Sequence, residues 1–273
     1  MATAPTLLEK YGPWALVTGA SSGIGEQFAR RLARAGFNLM LVARRTERLD
    51  ALAQELRRRR RIEVHALTAD LAERAAINEV ASAAAGHDLG LLVSNAGFGL
   101  KGRFERADCD ALEAMVAVNA LAPLLLLHAV LPRLLLRGRG GIVLTGSIEG
   151  EAPFPFSTAY AATKAFVHSL GLGLAGELEG TGVDLLVLEP GATDTEALRL
   201  QGFAPEALPG RMPADQVARE ALAQLGRKTL HIPGKDNRKF VNVMRRMHKE
   251  QLVAFNAANM AAALAASGRP VKR

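Results

Sequence analysis

The sequence predicts an α/β fold, doubly wound: a parallel sheet with helices on both faces. Short apolar runs recur along the first 234 residues, and they are apolar throughout rather than alternating. Such runs suit strands buried on both faces of a sheet. The stretches between them carry apolar residues at intervals of three and four, the period of a helix with one buried side. Strand and helix patterns alternate along the chain, which is the order a doubly wound parallel sheet requires.

Taken in order, Trp14–Thr18 reads as the first buried strand, and Gly23–Ala35 as a helix with Ile24, Phe28, Leu32 and Ala35 on one face. Asn38–Ala43 is the second strand. Thr46–Arg60 follows as a helix, capped by Thr46 and carrying Leu49, Leu52 and Leu56 inward. Glu63–Leu67, Gly90–Ser94, Gly141–Thr145, Asp184–Leu188 and the short Thr229–Pro233 complete a seven-stranded sheet. Leu112–Leu136 and Ser157–Glu179 are the long helices between later strands. No repeat or linker interrupts this pattern, so residues 1–234 are expected to form one domain.

Past Pro233 the strand signal ends. Residues 235–273 are expected to be a helical extension, with Asn237–Leu264 one amphipathic helix bearing Phe240, Met244, Met247 and Phe255. Ser267–Arg273 is expected to fray. The extension's apolar side chains must cover something. Only Phe240 and Phe255 are aromatic there, and there is no Trp, so packing on the same domain or a neighbouring subunit is expected rather than on a membrane.

Composition narrows the function. Of 273 residues, 49% are hydrophobic and 22% charged, which excludes wholesale disorder. The lone cysteine, Cys109, excludes an internal disulfide or a multi-cysteine zinc site, and the six scattered histidines show no ligand spacing, so no metal is expected. Most of the formal charge of +7 sits in the run Arg57–Arg61, which reads as a solvated last helical turn. With aromatic residues at only 5%, a nucleic-acid surface is set aside. The apolar stretch Ala120–Leu136, broken by Pro123, His128, Pro132 and Arg133, reads as a buried helix too short to span a bilayer. With no basic-then-apolar leader at the N-terminus and one cysteine, the expected compartment is the cytoplasm.

The chemistry starts where the first strand runs into Gly19-Ala20-Ser21-Ser22-Gly23-Ile24-Gly25 and then a helix. Glycines at such a junction let backbone approach a pyrophosphate, and the helix N-terminus supplies free amides and a positive dipole end. Dinucleotide sites that prefer NAD place an acid at the end of the second strand to hold the ribose hydroxyls. Here Arg44-Arg45 stand in that place, and guanidiniums suit a 2′-phosphate, so the cofactor expected is NADP(H). Tyr160 and Lys164 lie four apart and share one helix face. An adjacent ammonium lowers the pKa of a phenol and fits it for proton exchange with a carbonyl or alcohol oxygen. Ser147, thirteen residues before Tyr160 at a strand end, can hold that oxygen. Glu149 and Glu151 flank the same strand end and face either substrate or solvent.

The spacing Thr-Gly-x-x-x-Gly-x-Gly at Thr18–Gly25 resembles the short-chain dehydrogenase/reductase family, and further family marks follow in order. Asp70-Leu71 matches the acid on the adenine side. Asn95-Ala96-Gly97 follows the fourth strand, with Ser94 where the family usually has Asn. Asn119 resembles the mid-helix residue that anchors a relay water. Ser147, Tyr160 and Lys164 match the catalytic set, and Lys164 would also reach the nicotinamide ribose. Pro190-Gly191-Ala192-Thr193-Asp194-Thr195 matches the nicotinamide loop. The resemblance spans roughly residues 12–234. It implies a Rossmann-type fold and an NADP(H)-dependent oxidoreductase, a carbonyl reductase, interconverting a ketone or aldehyde and an alcohol. Cofactor contacts are implied at Gly19, Ser21, Ser22, Gly23, Ile24, Gly25, Arg44, Arg45, Asp70, Leu71, Asn95, Ala96, Gly97, Tyr160, Lys164, Pro190, Gly191, Thr193 and Thr195. A homodimer or homotetramer is implied too, paired through the two long helices, with Ala165, Leu172 and Leu174 on the outward face of the second. Two alternatives stand beside this: a non-catalytic NADP(H)-binding regulator, and a membrane-surface reductase that uses the C-terminal helix. Ile148–Thr158 and Glu196–Met212 are the segments expected to shape the substrate pocket.

Overall fold

The computed structural model describes residues 5–204, 207–208, 210–269 and 271. Its main sheet has seven strands in the order β3-β2-β1-β4-β5-β6-β9. These are β1 (Trp14–Thr18), β2 (Asn38–Ala43), β3 (Val64–Thr68), β4 (Leu89–Ser94), β5 (Gly140–Thr145), β6 (Val183–Leu188) and β9 (Leu230–His231). Every pairing is parallel. The expected strands are all present, with ends moved by a residue or so and the last one shortened to Leu230–His231. A second ladder, β7 (Thr193–Asp194) against β8 (Met212–Pro213), has no sequence signal and closes the loop after β6.

The helices are α1 (Leu7–Tyr11), α2 (Gly23–Arg34), α3 (Thr46–Arg59), α4 (Arg74–Ala85), α5 (Cys109–Val116), α6 (Ala122–Arg137), α7 (Thr158–Glu177), α8 (Glu196–Leu200), α9 (Ala214–Gln224), α10 (Lys235–Met244) and α11 (Lys249–Ala266). Two cores result, one per face of the sheet. Phe28 and Leu32 of α2, Leu49 and Leu56 of α3 and Val217 of α9 pack under one face. Ile77 and Val80 of α4, Leu126, Val130 and Leu134 of α6 and Val167 of α7 fill the other. The strand order reverses between β1 and β4, and a crevice opens there at the carboxyl ends of the strands, where such folds bind ligands.

Several expectations are corrected. Helices α5 and α6 are joined through a π-helical turn, Ala117–Leu121, so the apolar segment is one long helix. Among the described residues Cys109–Arg137 is long and apolar enough to cross a membrane, with a mean hydropathy of 2.1 over an 18-residue window. Its apolarity has another explanation here: Leu126, Leu127, Val130 and Leu134 are core residues packed toward the sheet. On α7, Leu172 and Leu174 are half-buried against the core rather than outward, while Ala165 and Phe166 are exposed.

The C-terminal extension is two helices, not one. The chain turns at Arg245–His248, where no proline or glycine announces a break. The turn lets Val241 and Met244 of α10 and Leu252, Met260 and Leu264 of α11 meet in one cluster with Phe154 and Phe203. One straight helix could not have aimed both apolar stripes at that cluster. Nor does the described part of Ser267–Arg273 fray freely. Ser267 Oγ accepts from the Ala204 amide at 3.0 Å, and Arg269 donates to the carbonyls of Gln201 at 2.8 Å and Lys101 at 3.1 Å. Residues 270, 272 and 273 lie outside the described residues. In the basic run, Arg57–Arg59 form the last turn of α3 and all five side chains are exposed.

Candidate active site

The crevice is a continuous cleft of about 780 Å³. At one end the chain leaves β1 through Gly19, whose φ of +67° lies in the left-handed region that favours glycine. Gly25 shows why the turn must stay bare: a Cβ there would sit 2.2 Å from the Gly19 carbonyl oxygen and 2.6 Å from Asn95 Nδ2. The backbone therefore turns tightly into α2. Ser22 gives that helix no side-chain cap, so its first amides lack partners from the helix itself. A bare glycine cradle beneath an uncapped helix N-terminus fits a pyrophosphate.

The floor is fixed by side chains at the strand ends. Thr18 Oγ1 accepts from the amides of Asn95 (2.9 Å) and Ala96 (3.0 Å), and Asn95 Nδ2 returns a bond to the Thr18 carbonyl at 3.3 Å. These bonds tie β1 to β4. Beside them Arg44 reaches Asp70 at 3.7 Å. Arg45 donates to Ser22 Oγ at 2.7 Å and to Glu196 Oε2 at 2.6 Å, and Arg48 joins the same carboxylate at 2.7 Å. That cationic corner holds the Glu196 carboxyl below the usual carboxylate range, through its hydrogen bonds with Arg45 and Arg48. Of the two guanidiniums expected to take a phosphate, Arg45 thus already binds an anion, sharing Glu196 with Arg48, while Arg44 faces Asp70.

Ser147, Tyr160 and Lys164 converge at the middle of the cleft. Burial pushes the Tyr160 phenol up, the Glu149 carboxylate adds to that, and a hydrogen bond with Ser147 pulls it back. Lys164 is 3% exposed and donates to the Thr145 carbonyl at 2.9 Å. Its Nζ lies 5.7 Å from the Tyr160 ring centre. Burial lowers its pKa to about 8, opposed by Glu149.

Asn119 sits one layer behind. It occupies the π-turn, 1% exposed; it accepts from the Phe98 amide at 3.0 Å and donates to the Phe98 carbonyl at 2.8 Å. It also donates to Thr163 Oγ1 at 3.1 Å, and Thr163 bonds the Tyr160 carbonyl at 2.7 Å. Asn119 therefore joins the loop after β4 to α7, and it does not line the cleft. Gly25 does not line it either, being packed against the Gly19 carbonyl. Every other expected cofactor residue does: Gly19, Ser21, Ser22, Gly23, Ile24, Arg44, Arg45, Asp70, Leu71, Asn95, Ala96, Gly97, Tyr160, Lys164, Pro190, Gly191, Thr193 and Thr195.

Three features were missed in the sequence. Arg48 and Glu196 meet across 148 residues, and no local pattern announces that. Lys101 reaches the Tyr160 ring from the loop after β4; a lysine just past a glycine-rich strand exit was the only available hint. Glu151 turns away from the cleft to pair with Arg245, just past the end of α10. No metal site was expected, yet Glu151, His168 and Glu189 bring donor atoms within 4.8 Å of one another. Glu151 is taken up by Arg245, and one Glu189 oxygen, Oε2, is buried without a partner. His168 Nδ1 lies 2.5 Å from Glu189, and burial and the neighbouring Glu151 carboxylate push the Glu189 carboxyl up.

Beyond Tyr160 the lining is mostly apolar, with Gln201 and Asn259 its polar members. Ile148, Phe154, Leu198 and Phe203 form its walls, and Phe240 and Met260 of the C-terminal helices roof it.

A short chain dehydrogenase family model matches residues 13–202. A 7beta-hydroxysteroid dehydrogenase of Clostridium sardiniense is 32% identical over 247 residues, covering 90% of this chain and 95% of its own. Among solved structures, a short-chain dehydrogenase from Sphingobium yanoikuyae in complex with NADPH superposes with a TM-score of 0.79 at 36% identity, covering 87% of this chain and 96% of that one. The bulky-bulky ketone specific alcohol dehydrogenase from Comamonas testosteroni does so with a TM-score of 0.75 at 34% identity, covering 88% and 96%. The chain is therefore a member of the short-chain dehydrogenase/reductase family, an oxidoreductase that uses a nicotinamide cofactor on alcohol and carbonyl groups.

Proposed function

We propose that this protein interconverts a bulky apolar ketone and its secondary alcohol, using NADP(H). The observation that carries the reading is the continuity of one cleft. It runs from Arg44 and Arg45 past Ser147 and Tyr160 to an apolar chamber under Phe240 and Met260. The substrate size fits the named activities of the hydroxysteroid and bulky-ketone relatives. The cofactor choice is supported by the guanidinium pair and by the NADPH held by the Sphingobium relative.

NADP(H), when bound along the glycine cradle, supplies or accepts the hydride. The chain's own residues do the rest. Ser147 holds the substrate oxygen in line with Tyr160. Tyr160, whose pKa burial raises, donates its phenol proton to a carbonyl during reduction, and in oxidation its phenolate accepts the alcohol proton. The Lys164 ammonium biases the phenol toward ionisation. Asn119 keeps the loop after β4 in register with α7. A panel of ketones graded by size, followed by NADPH absorbance, tests the substrate class. Tyr160→Phe should keep NADPH binding and lose about 10²-fold or more in turnover; near-normal turnover would refute the assignment.

The exposed apolar residues Leu121, Leu124, Leu135 and Phe166 on the long helices support assembly as a homodimer or homotetramer. A reducing compartment, the cytoplasm, suits the single exposed Cys109.

A further inference from the structure

Lys101 is a buried cation that the proposed chemistry leaves unused. Its side chain is 1% exposed. Nζ donates to both Glu149 oxygens at 2.7 Å and to Ser157 Oγ at 2.6 Å, and it lies 4.3 Å from the centre of the Tyr160 ring. Ser157 closes the triangle with its own bond to Glu149.

The surroundings hold this arrangement in place. Phe156, just before Ser157, has φ of +63°, a conformation that bulky side chains avoid. Its carbonyl accepts from the Gly102 amide at 2.8 Å, beside Lys101. Arg269, from the end of the C-terminal extension, donates to the Lys101 carbonyl at 3.1 Å. Burying an ammonium and a carboxylate is a weak way to gain stability, because both must lose their water. Strain and desolvation are both spent on a pair whose cation faces the Tyr160 ring.

We propose that Lys101 is a positioning residue for Tyr160: it seats the ring and neutralises Glu149, so that the phenol can ionise beside Lys164. The proposal rests on the reading of Tyr160 as proton donor and acceptor. The charged groups facing Tyr160 are Lys164 from its own helix, Glu149 from the segment after β5 and Lys101 from the segment after β4. Among the described residues, α10 and α11 contribute Phe240, Asn259, Met260 and Ala263 to the cleft lining, all neutral. Burial holds the Lys101 pKa below the usual lysine range, and the Glu149 carboxylate, with both oxygens 2.7 Å from Nζ, opposes that. Without Lys101, the Glu149 carboxylate would stand uncompensated beside the phenol and oppose its ionisation.

Alcohol oxidation needs the phenolate to accept the alcohol proton, so its rate against pH reads this directly. Kinetics on the full-length enzyme with NADP and a secondary alcohol turned over by the wild type should show the rising limb of kcat for Lys101→Met displaced upward by about 1–3 pH units. The KM and the NADPH affinity should change little. Lys101→Arg, which keeps the charge, should leave the limb near the wild-type position. Lys101→Met with Glu149→Gln removes both charges and should bring it back. Glu149→Gln alone should move it down, which serves as the test if Lys101→Met does not fold. An unmoved limb in Lys101→Met, or a double variant as displaced as the single one, overturns the proposal. So does a Glu149→Gln limb that stays in place or moves up. Tyr160→Phe in the same series separates the two ideas. Full turnover by that variant overturns the reading of Tyr160 and this proposal with it, whereas an inactive Tyr160→Phe beside an unmoved Lys101→Met overturns only the role of Lys101.

Discussion

Leu264→Ala probes whether the C-terminal helices are the roof of the substrate chamber. Leu264 is 1% exposed and belongs to the cluster that joins α10 and α11 to Phe154 and Phe203. Truncating a buried leucine costs about 2–5 kcal/mol, the lower values going to sites that can collapse into the space left behind. This cluster is an outer layer, and Met260 beside it is an adaptable filler, so a loss of about 2–3 kcal/mol is expected. At about 2–4 °C per kcal/mol for a chain near this size, the melting temperature should fall by about 4–12 °C. The glycine cradle and Arg45 lie at the far end of the cleft, so NADPH affinity by calorimetry should be unchanged. The KM for a bulky ketone should rise, because Met260 and Ala263 on the same helix line the chamber. The assay is a thermal melt with parallel ketone kinetics. An unchanged melting temperature and KM would refute the packing argument and favour an extension that covers some other surface.

Arg45→Ala should erase most of a preference for NADPH over NADH. The loss of one charge-assisted phosphate contact is about 10- to 100-fold in the ratio of dissociation constants, and calorimetry with both cofactors checks it. Lys164→Met should reveal a proton linkage. The folded pKa of Lys164 is depressed to about 8, below its unfolded value, so between these values the unfolded chain binds more protons and stability rises with pH. Relative to the variant, the wild type should gain about 2 kcal/mol from roughly pH 7.5 to 9.5 in urea unfolding; a flat or falling difference would refute the depressed pKa. Phe166, 39% exposed on α7, should lie in the subunit contact. Light scattering should show an oligomer for the wild type and a smaller species for Phe166→Asp, and a wild-type monomer would refute the assembly.

The sheet and the chemistry at its strand ends were legible because they are local. A strand buried on both faces has to be apolar along its whole length. A tight turn into a helix has to be glycine. Tyr160 and Lys164 need only four residues of separation to share a face. Each of these constraints acts within a few residues, so each is written in the sequence. The partners of those residues are another matter. Lys101 meets Tyr160, Arg48 meets Glu196 and Arg245 meets Glu151 only because the fold brings segments distant in sequence together, and a lone charged side chain carries no mark of what it will face. The break between α10 and α11 has the same origin. No residue at Arg245–His248 forbids a helix, and the turn exists because two apolar stripes must be buried against one chamber. Local sterics and periodicity thus set the scaffold from the sequence alone, whereas long-range burial decided which charges pair and what covers the cleft.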